Sequence, residues 1–481
     1  MDTEEFRQRG IEMINFIIDY HSTVVQERIT PLVKPGYLRA LIPELPPEDG
    51  EEWDSIMKDC EKIILPGLTH WLHPHFHAFF PIGCSYPSLL GEIMSDALAC
   101  NGFSWAASPS CTELESIVLD WLGEMIGLPD KFLFCKPNSC GGGALQGSAS
   151  DCNLVVLLAA RHHTIKLLQR ADPTVEEGKL LSSLIAYCSQ EAHSSVEKSA
   201  MICLVKLGIL RTDSKYRLRG SILEEAIKKD IKNGYRPFFV TATIGTTSCG
   251  SCDKIDELGP ICEKYDMWLH VDAAYGGNAM ICPEMRHHLK GVEYVSSFNT
   301  NPTKWMLVNY DCSAMWVSDR NKFTECLIVR PLYLAYNQEQ FALDYRHWGI
   351  PLSRRFRSLK LWFTIRSFGV RGLQEYIRNH IKLAKHFARH IINDKRFELE
   401  NEVHFGLVCF RMKGSNSLNE NLLNTINRSG ELYMVAASLG RKYVIRFCIC
   451  YSKATEEHVE YAWNIISKVA TQLLEGSPKG T

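Results

Sequence analysis

Hydrophobic positions along the chain follow three successive patterns. In residues 1–85, apolar side chains recur at roughly helical spacing from Phe6 to Ile18, and proline-rich connections follow. Such an arm has little apolar surface with which to build its own core. We therefore expect it to pack on another part of the assembly, and a second subunit is one candidate.

From residue 86 to about 360, short apolar runs take turns with helical patterns. A helical pattern covers 255–265, and the Ser-Ser-Val-Glu capping box at 194–197 predicts the start of another helix. Three apolar runs are typical of strands: 180–187, 238–243 and 267–271. The alternation predicts a mostly parallel sheet with helices on both faces, in which ligands bind beyond the carboxyl ends of the strands.

The last part of the chain, residues 361–481, changes character. A long helical pattern at 366–392 precedes two strand-like runs, at 406–411 and 443–447, and a final helical pattern covers 458–474. The sequence therefore predicts an α/β protein in three parts. These are a helical arm (1–85), a large α/β domain (86–360) and a small α+β domain (361–481).

Composition excludes several functional classes. A formal net charge of -2 gives no general attraction to nucleic acid or to acidic membranes. The acidic start lacks the order of a signal peptide, and the longest apolar run, 154–160, is too short to span a bilayer. Several of the 18 cysteines lie inside apolar runs, so we interpret them as reduced thiols. We expect a cytoplasmic protein that binds neither nucleic acid nor membrane.

Two polar segments suit a phosphate group. The glycine-rich segment 141–150 precedes an apolar helix, whose N-terminus presents free N–H groups, and Gly245-Thr246-Thr247 follows a strand. The first lacks the Gly-Lys-Ser/Thr ending of a P-loop. Each segment is also consistent with a simple turn or helix cap.

Two charged residues occupy apolar surroundings. Asp272 ends a strand, where an unpaired carboxylate costs several kcal/mol, and it is either a buried cap or the partner of a cationic ring. Lys304 precedes the apolar run 305–308, and a desolvated lysine there becomes a nucleophilic amine. A reactive lysine, an aspartate for a pyridinium nitrogen and a phosphate cup together form the pyridoxal phosphate constellation.

The order of these segments carries a family resemblance along nearly the whole chain. The motifs are PGYLRALIP, GFSWAASPSCTELE, GGGALQGSAS, EAHSSVEK, HVDAAY, NPTKW, DYRHWGIPLSRRFRS and GLVCFRMKGSN. The chain closely resembles the group II pyridoxal-phosphate amino acid decarboxylases, in the animal branch of aromatic-L-amino-acid, tyrosine and histidine decarboxylases. The resemblance implies the aspartate-aminotransferase-like architecture of fold type I, pyridoxal 5'-phosphate as cofactor, an amino acid substrate and a homodimer. It also implies a loop at about 324–345 that closes over the neighbouring subunit's site.

The resemblance assigns roles residue by residue. Lys304 resembles the lysine that binds the cofactor's aldehyde, and Asp272 the partner of its ring nitrogen. His193 matches the histidine that stacks on the ring near the substrate carboxylate, and Tyr333 the tyrosine that protonates the substrate carbon after carbon dioxide leaves. The family's phosphate contacts fall on four residues: Ala149, Ser150, Thr247 and Asn301. Relatives that make aldehydes have usually changed the tyrosine or the histidine, so keeping both favours simple decarboxylation and argues against an inactive homologue that serves as an interaction protein.

The expected substrate pocket departs from the pattern of dopa decarboxylases. Thr303 replaces a histidine, Ser353 a glycine, Ile82 a threonine, Phe79 a tyrosine and Asn101 an apolar residue. A buried Asn101 amide requires a hydrogen-bond partner, and the substrate is a candidate for that partner. Four aromatic residues still supply a wall for a flat ring: Trp71, Phe79, Phe80 and Phe103. We expect tyrosine or dopa as substrate, with histidine second and an oxygen-using aldehyde synthase as the alternative reaction.

Two patterns resemble metal sites without meeting the requirements of one. His70, His73, His75 and His77 crowd together, and Cys249 and Cys252 form a CxxC motif. A zinc site needs four ligands with a plausible partner pair, and a second CxxC is absent from the sequence. We expect no metal, and histidines that pack or hydrogen-bond.

Overall fold

The computed structural model of the protein describes residues 1–329 and 343–475. Within them, the strands are β1 (Gly142–Gln146), β2 (Leu184–Ser189), β3 (Lys206–Leu210), β4 (Arg236–Thr243), β5 (Trp268–Asp272), β6 (Ser297–Thr300), β7 (Ser313–Val317), β8 (Phe397–Leu399), β9 (Leu407–Met412), β10 (Val435–Leu439) and β11 (Lys442–Cys448).

The helices of the same described residues are α1 (Thr3–Thr23), α2 (Trp53–Asp59), α3 (Tyr86–Leu98), α4 (Pro109–Ile126), α5 (Ala149–Ala171), α6 (Glu177–Ser183), α7 (Ser194–Ile202), α8 (Gly220–Lys232), α9 (Ile255–Lys264), α10 (Pro302–Trp305), α11 (Arg320–Thr324), α12 (Arg357–Asn393), α13 (Asn416–Ser429) and α14 (Glu456–Glu475). Helix α12 is interrupted at Gly369, whose φ of 64° and ψ of 171° are not helical.

The large sheet has the strand order β1-β7-β6-β5-β4-β2-β3, and β7 is its one antiparallel member in the described chain. Every position of β1, β2 and β7 is buried, as expected for strands with helices on both faces. This confirms the predicted α/β class and the mostly parallel sheet. The carboxyl ends of β4, β5 and β6 meet at one edge, where the candidate residues follow.

The second sheet is antiparallel, with the order β10-β11-β9-β8. Helices α12 and α13 pack against it, and α14 packs on both of these helices. The expected domain boundary at 360 falls just inside α12. The end of the N-terminal arm joins this part of the molecule, because His77 N donates to Tyr433 O at 2.9 Å and Cys448 N donates to His77 O at 3.0 Å. None of the described helices is both long and apolar enough to cross a bilayer.

Three local predictions were wrong. The segment 180–183 is not strand but the end of α6, and β2 begins only at Leu184, because the Ser182 and Ser183 hydroxyls hydrogen-bond carbonyls of the preceding helical turn. His193 rather than Ser194 caps α7, and its Nδ1 accepts from Ser195 N. Half of the glycine-rich segment is strand β1, and a Cβ at Gly143 would lie 2.8 Å from Met315 O on β7. These glycines therefore permit close strand packing.

Candidate active site

The strand β5 ends in Asp272, a carboxylate that is only 4% exposed. Oδ1 accepts from Ala274 N at 3.1 Å and more weakly from Asn299 Nδ2 at 3.4 Å, and Oδ2 accepts from Asn153 Nδ2 at 3.1 Å. Each donor comes from a different element, namely the turn after β5, the neighbouring β6 and helix α5. The carboxylate is therefore held in one orientation by neutral donors, and none of its hydrogen-bond donors in the described structure is a cation.

The short helix α10 carries Lys304 directly after β6. Burial lowers the pKa of its amine, the charge of Asp272 raises it and Arg446 lowers it again. Nζ lies 5.2 Å from the centre of the Phe80 ring, and in the described part of the chain no side chain hydrogen-bonds to it. The amine thus combines partial desolvation with a free lone pair when neutral, which suits a nucleophile.

The imidazole of His193 has a fixed tautomer. Its Nδ1 accepts from the backbone N–H of Ser195 at 3.1 Å and lies 2.8 Å from Ser195 Oγ. Since a backbone N–H only donates, Nδ1 is unprotonated and the neutral ring carries its proton on Nε2. Partial desolvation lowers the pKa of His193, the charge of Asp272 raises it, and Lys304 and Lys198 lower it. Three of the four predicted catalytic residues, namely His193, Asp272 and Lys304, therefore share one electrostatic neighbourhood.

Asn153 on α5 connects two of these residues and was missed by sequence reasoning. Its Nδ2 donates to Asp272 Oδ2 at 3.1 Å and to Ser195 Oγ at 3.0 Å, and its Oδ1 lies 2.9 Å from His270 Nε2. His270 Nδ1 in turn lies 2.8 Å from Ser297 Oγ, which accepts from Trp268 Nε1 at 2.8 Å. When each group in this chain donates to the next, every donor has an acceptor and every acceptor has a donor. The donors follow the order Trp268, Ser297, His270, Asn153 and Ser195, and the last acceptor is His193 Nδ1. Asn153 is thus the branch point that orients both Asp272 and His193.

Four residues were expected to contact a phosphate. Ala149 and Ser150 are the first residues of α5, where backbone N–H groups have no helical partner, and Ser148 caps the helix by accepting from Asp151 N. Thr247 is exposed, whereas the neighbouring Thr246 hydroxyl is buried and already accepts from Ser251 N. Asn301, 7% exposed, accepts from Ser313 Oγ at 2.6 Å, and no side chain or carbonyl of the described ranges accepts from its amide N–H groups. These four residues follow β1, β4 and β6.

The aromatic residues of the arm, which we call the aromatic wall, form two stacks, and Phe80 in one of them lies beside the lysine. Trp71 stacks on Phe79 with ring centres 5.0 Å apart, and Phe80 stacks on Tyr275 at 4.0 Å. Arg446, 4% exposed, lies 5.1 Å from the Phe80 ring and donates to Phe79 O at 3.0 Å. This buried guanidinium, with its Nε unpartnered in the described structure, is a second residue that sequence reasoning missed.

Thr303 and Ile82 belong to segments that touch. Gly83 N donates to Thr303 O at 2.6 Å, and a Cβ at Gly83 would lie 2.4 Å from Val308 O. Thr303 itself is 1% exposed, and Ile82 is half-buried. The close backbone contact therefore places the arm segment beside the lysine helix α10.

The remaining expected pocket residues form a separate group. Asn101 Oδ1 accepts from Arg354 N at 2.9 Å, so its oxygen has a partner in the protein backbone and needs none on a substrate. Phe103 is half-buried, and Ser353, next to Arg354, is exposed. Over the described ranges, no hydrogen bond or ring contact joins these residues to Lys304 or Phe80. Tyr333 and most of the expected loop at 324–345 lie outside the described residues.

The histidines and cysteines of the two metal-like patterns make ordinary packing and hydrogen-bond contacts. His70 Nδ1 bonds Tyr20 Oη at 2.9 Å, His77 Nδ1 donates to Cys448 O at 2.8 Å, and His75 stacks on Tyr461 with centres 4.1 Å apart. Burial lowers the pKa of His77 to about 3. Cys249 and Cys252 are buried free thiols. The histidines pack and hydrogen-bond, as expected.

The donor set around Lys304 fits a phosphorylated pyridine aldehyde. The unpartnered amine is available for an aldehyde carbon, the buried Asp272 carboxylate for a proton on a ring nitrogen, and the α5 N-terminus for a phosphate. Among the described residues, no charged side chain hydrogen-bonds to Asp272. A cationic ring would therefore supply a counter-charge for its carboxylate.

Comparison with known proteins points in the same direction. Residues 35–413 match the pyridoxal-dependent decarboxylase conserved domain. The chain is 50% identical to the aromatic-L-amino-acid decarboxylase of Rattus norvegicus over 476 residues, which cover 98% of this chain and 99% of that protein. It is 48% identical to the histidine decarboxylase of Homo sapiens over 474 residues, 98% of this chain and 72% of that protein. The structure of Oryza sativa TDC with PLP and tryptamine superposes with a TM-score of 0.94 at 34% identity, covering 98% of this chain and 99% of that one.

Proposed function

This chain belongs to the pyridoxal-dependent decarboxylase family and is a carboxy-lyase that uses pyridoxal phosphate, and from that premise we propose that it converts L-tyrosine or dopa to the arylalkylamine and carbon dioxide. The observation that carries the proposal is the half-buried Lys304 amine, which has a lowered pKa and lies in the electrostatic field of Asp272.

Each catalytic residue has a role that follows from its surroundings. Lys304 binds the aldehyde carbon of the cofactor, since desolvation favours the neutral, nucleophilic amine. Asp272 would hold a proton on the ring nitrogen. When bound, pyridoxal phosphate would supply a cationic ring that withdraws electrons from the substrate's α-carbon. His193, neutral with its proton on Nε2, has that N–H available for a hydrogen bond to the substrate carboxylate.

Other residues hold the phosphate and return the proton. The first N–H groups of α5 at Ala149 and Ser150, the hydroxyl of Thr247 and the amide of Asn301 bind the phosphate. Tyr333 donates the proton that replaces the lost carboxyl group, a role that rests on the motif resemblance because Tyr333 lies outside the described residues.

The substrate preference follows from the aromatic wall. Phe80 offers a flat apolar surface beside Lys304, and Trp71 stacks on Phe79, the residue before Phe80. These aromatic rings suit a phenol or catechol ring. Thr303 and Ile82, on touching segments, replace two polar positions of the dopa type and tune the fit. By the family resemblance, a serine at position 353 is a trait of histidine and tyrosine decarboxylases alike, so histidine stands as the second candidate.

We propose that the pocket is completed in a homodimer. Asn101, Phe103 and Ser353 were expected in the pocket, yet within one chain they cluster around Arg354 and do not contact the Lys304 group. Helix α3 exposes Leu90, Ile93 and Met94, an apolar face that a second subunit would cover. A partner would thereby bring its own Phe103 to this chain's aromatic wall.

Spectroscopy on the purified chain tests the lysine assignment. With pyridoxal phosphate the wild type should show a visible absorbance band that borohydride abolishes, and the Lys304→Ala variant should lack it. Lys198→Ala is the matched control, because Lys198 is an exposed lysine on α7 near His193. A band that survives in Lys304→Ala would refute the assignment.

A further inference from the structure

A second cluster of ligand-type side chains lies between helices α12 and α14. His386 and His390 are four residues apart on α12 and therefore share one face of the helix. Both present Nε2 to the same oxygen, Glu460 Oε1 on α14, at 2.6 Å and 2.8 Å. All three ligand atoms lie within 4.8 Å of one another, and the three side chains are half-buried. The cluster shares no residue with the site around Lys304.

The ligand types and their orientation suit a divalent cation of the zinc class. Imidazole nitrogen and carboxylate oxygen bind Zn²⁺ at about 2.0–2.2 Å. The two imidazole planes are nearly perpendicular, at 88°, and the His390 ring stacks on Trp463 with centres 5.4 Å apart and planes 15° apart. That stacking limits the rotation of His390, so part of the ordering that metal binding requires is already present.

The hydrogen-bonding roles also suit metal binding. Glu460 Oε1 is the shared partner of both rings, at 2.6 Å from His386 Nε2 and 2.8 Å from His390 Nε2. In the hydrogen-bonded arrangement each neutral ring donates its Nε2 proton to Glu460. To bind a cation, each ring moves that proton to Nδ1 and turns its Nε2 lone pair toward the ion, with no net loss of protons.

We propose that His386, His390 and Glu460 form a three-ligand site for Zn²⁺ or a related divalent transition-metal ion, with water in the remaining position. The ion would join the long helix α12 to the C-terminal helix α14. It would act as a cross-link within the small domain, because its ligands come from helices separated by the four-stranded sheet in the sequence.

Equilibrium dialysis of the cofactor-loaded enzyme against Zn²⁺ tests the site. Glu460→Gln and His386→Asn should each bind about one zinc ion fewer per chain than the wild type. His287→Asn is the matched control, since His287 is an exposed histidine that hydrogen-bonds a backbone carbonyl, and it should bind as the wild type does. Exposed thiols such as Cys135 and Cys140 bind zinc equally in all these proteins, so the difference isolates the cluster.

Thermal unfolding supplies a second readout. Zinc should raise the Tm of the wild type and of His287→Asn and leave that of Glu460→Gln unchanged, because only a ligand that binds the folded state stabilises it. Glutamine keeps an oxygen for the two imidazole N–H groups, so this variant is expected to fold. Equal zinc stoichiometry in all variants, or a zinc-induced Tm shift that persists in Glu460→Gln, would overturn the proposal.

Discussion

Replacing Asn153 with leucine removes the branch point that connects Asp272 with His193. Leucine has nearly the same volume but offers no hydrogen bond, so Asp272 Oδ2 and His270 Nε2 lose their described partner. Each buried polar group left unsatisfied costs about 1–3 kcal/mol, which gives a loss of about 2–6 kcal/mol in the free energy of unfolding. Stability alone would not distinguish a positioning role from a structural one.

The pH profile makes that distinction. In the wild type the Ser195 hydroxyl receives a hydrogen bond from Asn153 and directs its own proton to His193 Nδ1. Without Asn153 the hydroxyl is free to turn away from Nδ1, so the neutral form of His193 loses that hydrogen bond while Nδ1 still accepts from Ser195 N. The loss of a hydrogen bond of about 1–1.5 kcal/mol from the neutral form would raise the pKa of His193 by up to about one unit. The acid limb of kcat/KM should therefore move to higher pH.

The assay measures kcat/KM against pH for the wild type, Asn153→Leu and a matched control, Asn419→Leu. Asn419 is also fully buried and makes three hydrogen bonds to backbone groups, but it lies in the small domain. Both variants should lose stability in urea, and only Asn153→Leu should shift the acid limb. An unshifted limb in Asn153→Leu would show that Asn153 has a structural role alone.

Three further predictions concern stability. Burial lowers the pKa of His380 to about 3, so on going from pH 7 to pH 5 the unfolded chain takes up a proton that the folded chain does not. The free energy of unfolding therefore decreases as the pH is lowered from 7 to 5. His380→Gln should reduce that decrease by about 2 kcal/mol in urea unfolding, and an unchanged pH dependence would refute the reasoning. Glu115→Gln breaks the buried pair with Arg354 (2.6 Å) and should cost about 3–5 kcal/mol, whereas a loss below 1 kcal/mol would contradict it. In Gly276→Ala the new Cβ would lie 2.6 Å from Ile244 O, which should cost about 1–3 kcal/mol by urea unfolding, and an unchanged midpoint would count against the described packing.

The sequence predicted the main sheet because strands buried on both faces are continuous apolar runs with clear ends. Asp272 and Lys304 were identifiable for the same reason, since each is a charge at the border of such a run. The predicted boundaries of helices and strands were wrong where a local polar hydrogen bond had more influence than the apolar pattern. The Ser182 and Ser183 hydroxyls extend α6 into the predicted strand, and the His193 side chain, not Ser194, caps α7.

Long-range partners were beyond the reach of local patterns. Asn153 bonds residues more than a hundred positions away, Asp272 and His270. One signal was present, since Asn153 and Arg446 are polar residues inside apolar segments, and buried polar groups need partners. This pattern indicates that a residue has a hydrogen-bond partner, but it does not identify the partner. Likewise, the separation of Phe103 from the Lys304 group depends on the fold of a whole chain.

The most direct test of the central claim is the product balance for single substrates. The purified, cofactor-loaded chain is given L-tyrosine, dopa, tryptophan, phenylalanine and histidine separately, and carbon dioxide, amine, aldehyde and peroxide are measured. We expect equal amounts of carbon dioxide and arylalkylamine, with L-tyrosine or dopa fastest, no peroxide, and no turnover by Lys304→Ala. Peroxide and aldehyde in place of the amine, or histidine as the preferred substrate, would contradict the proposed function.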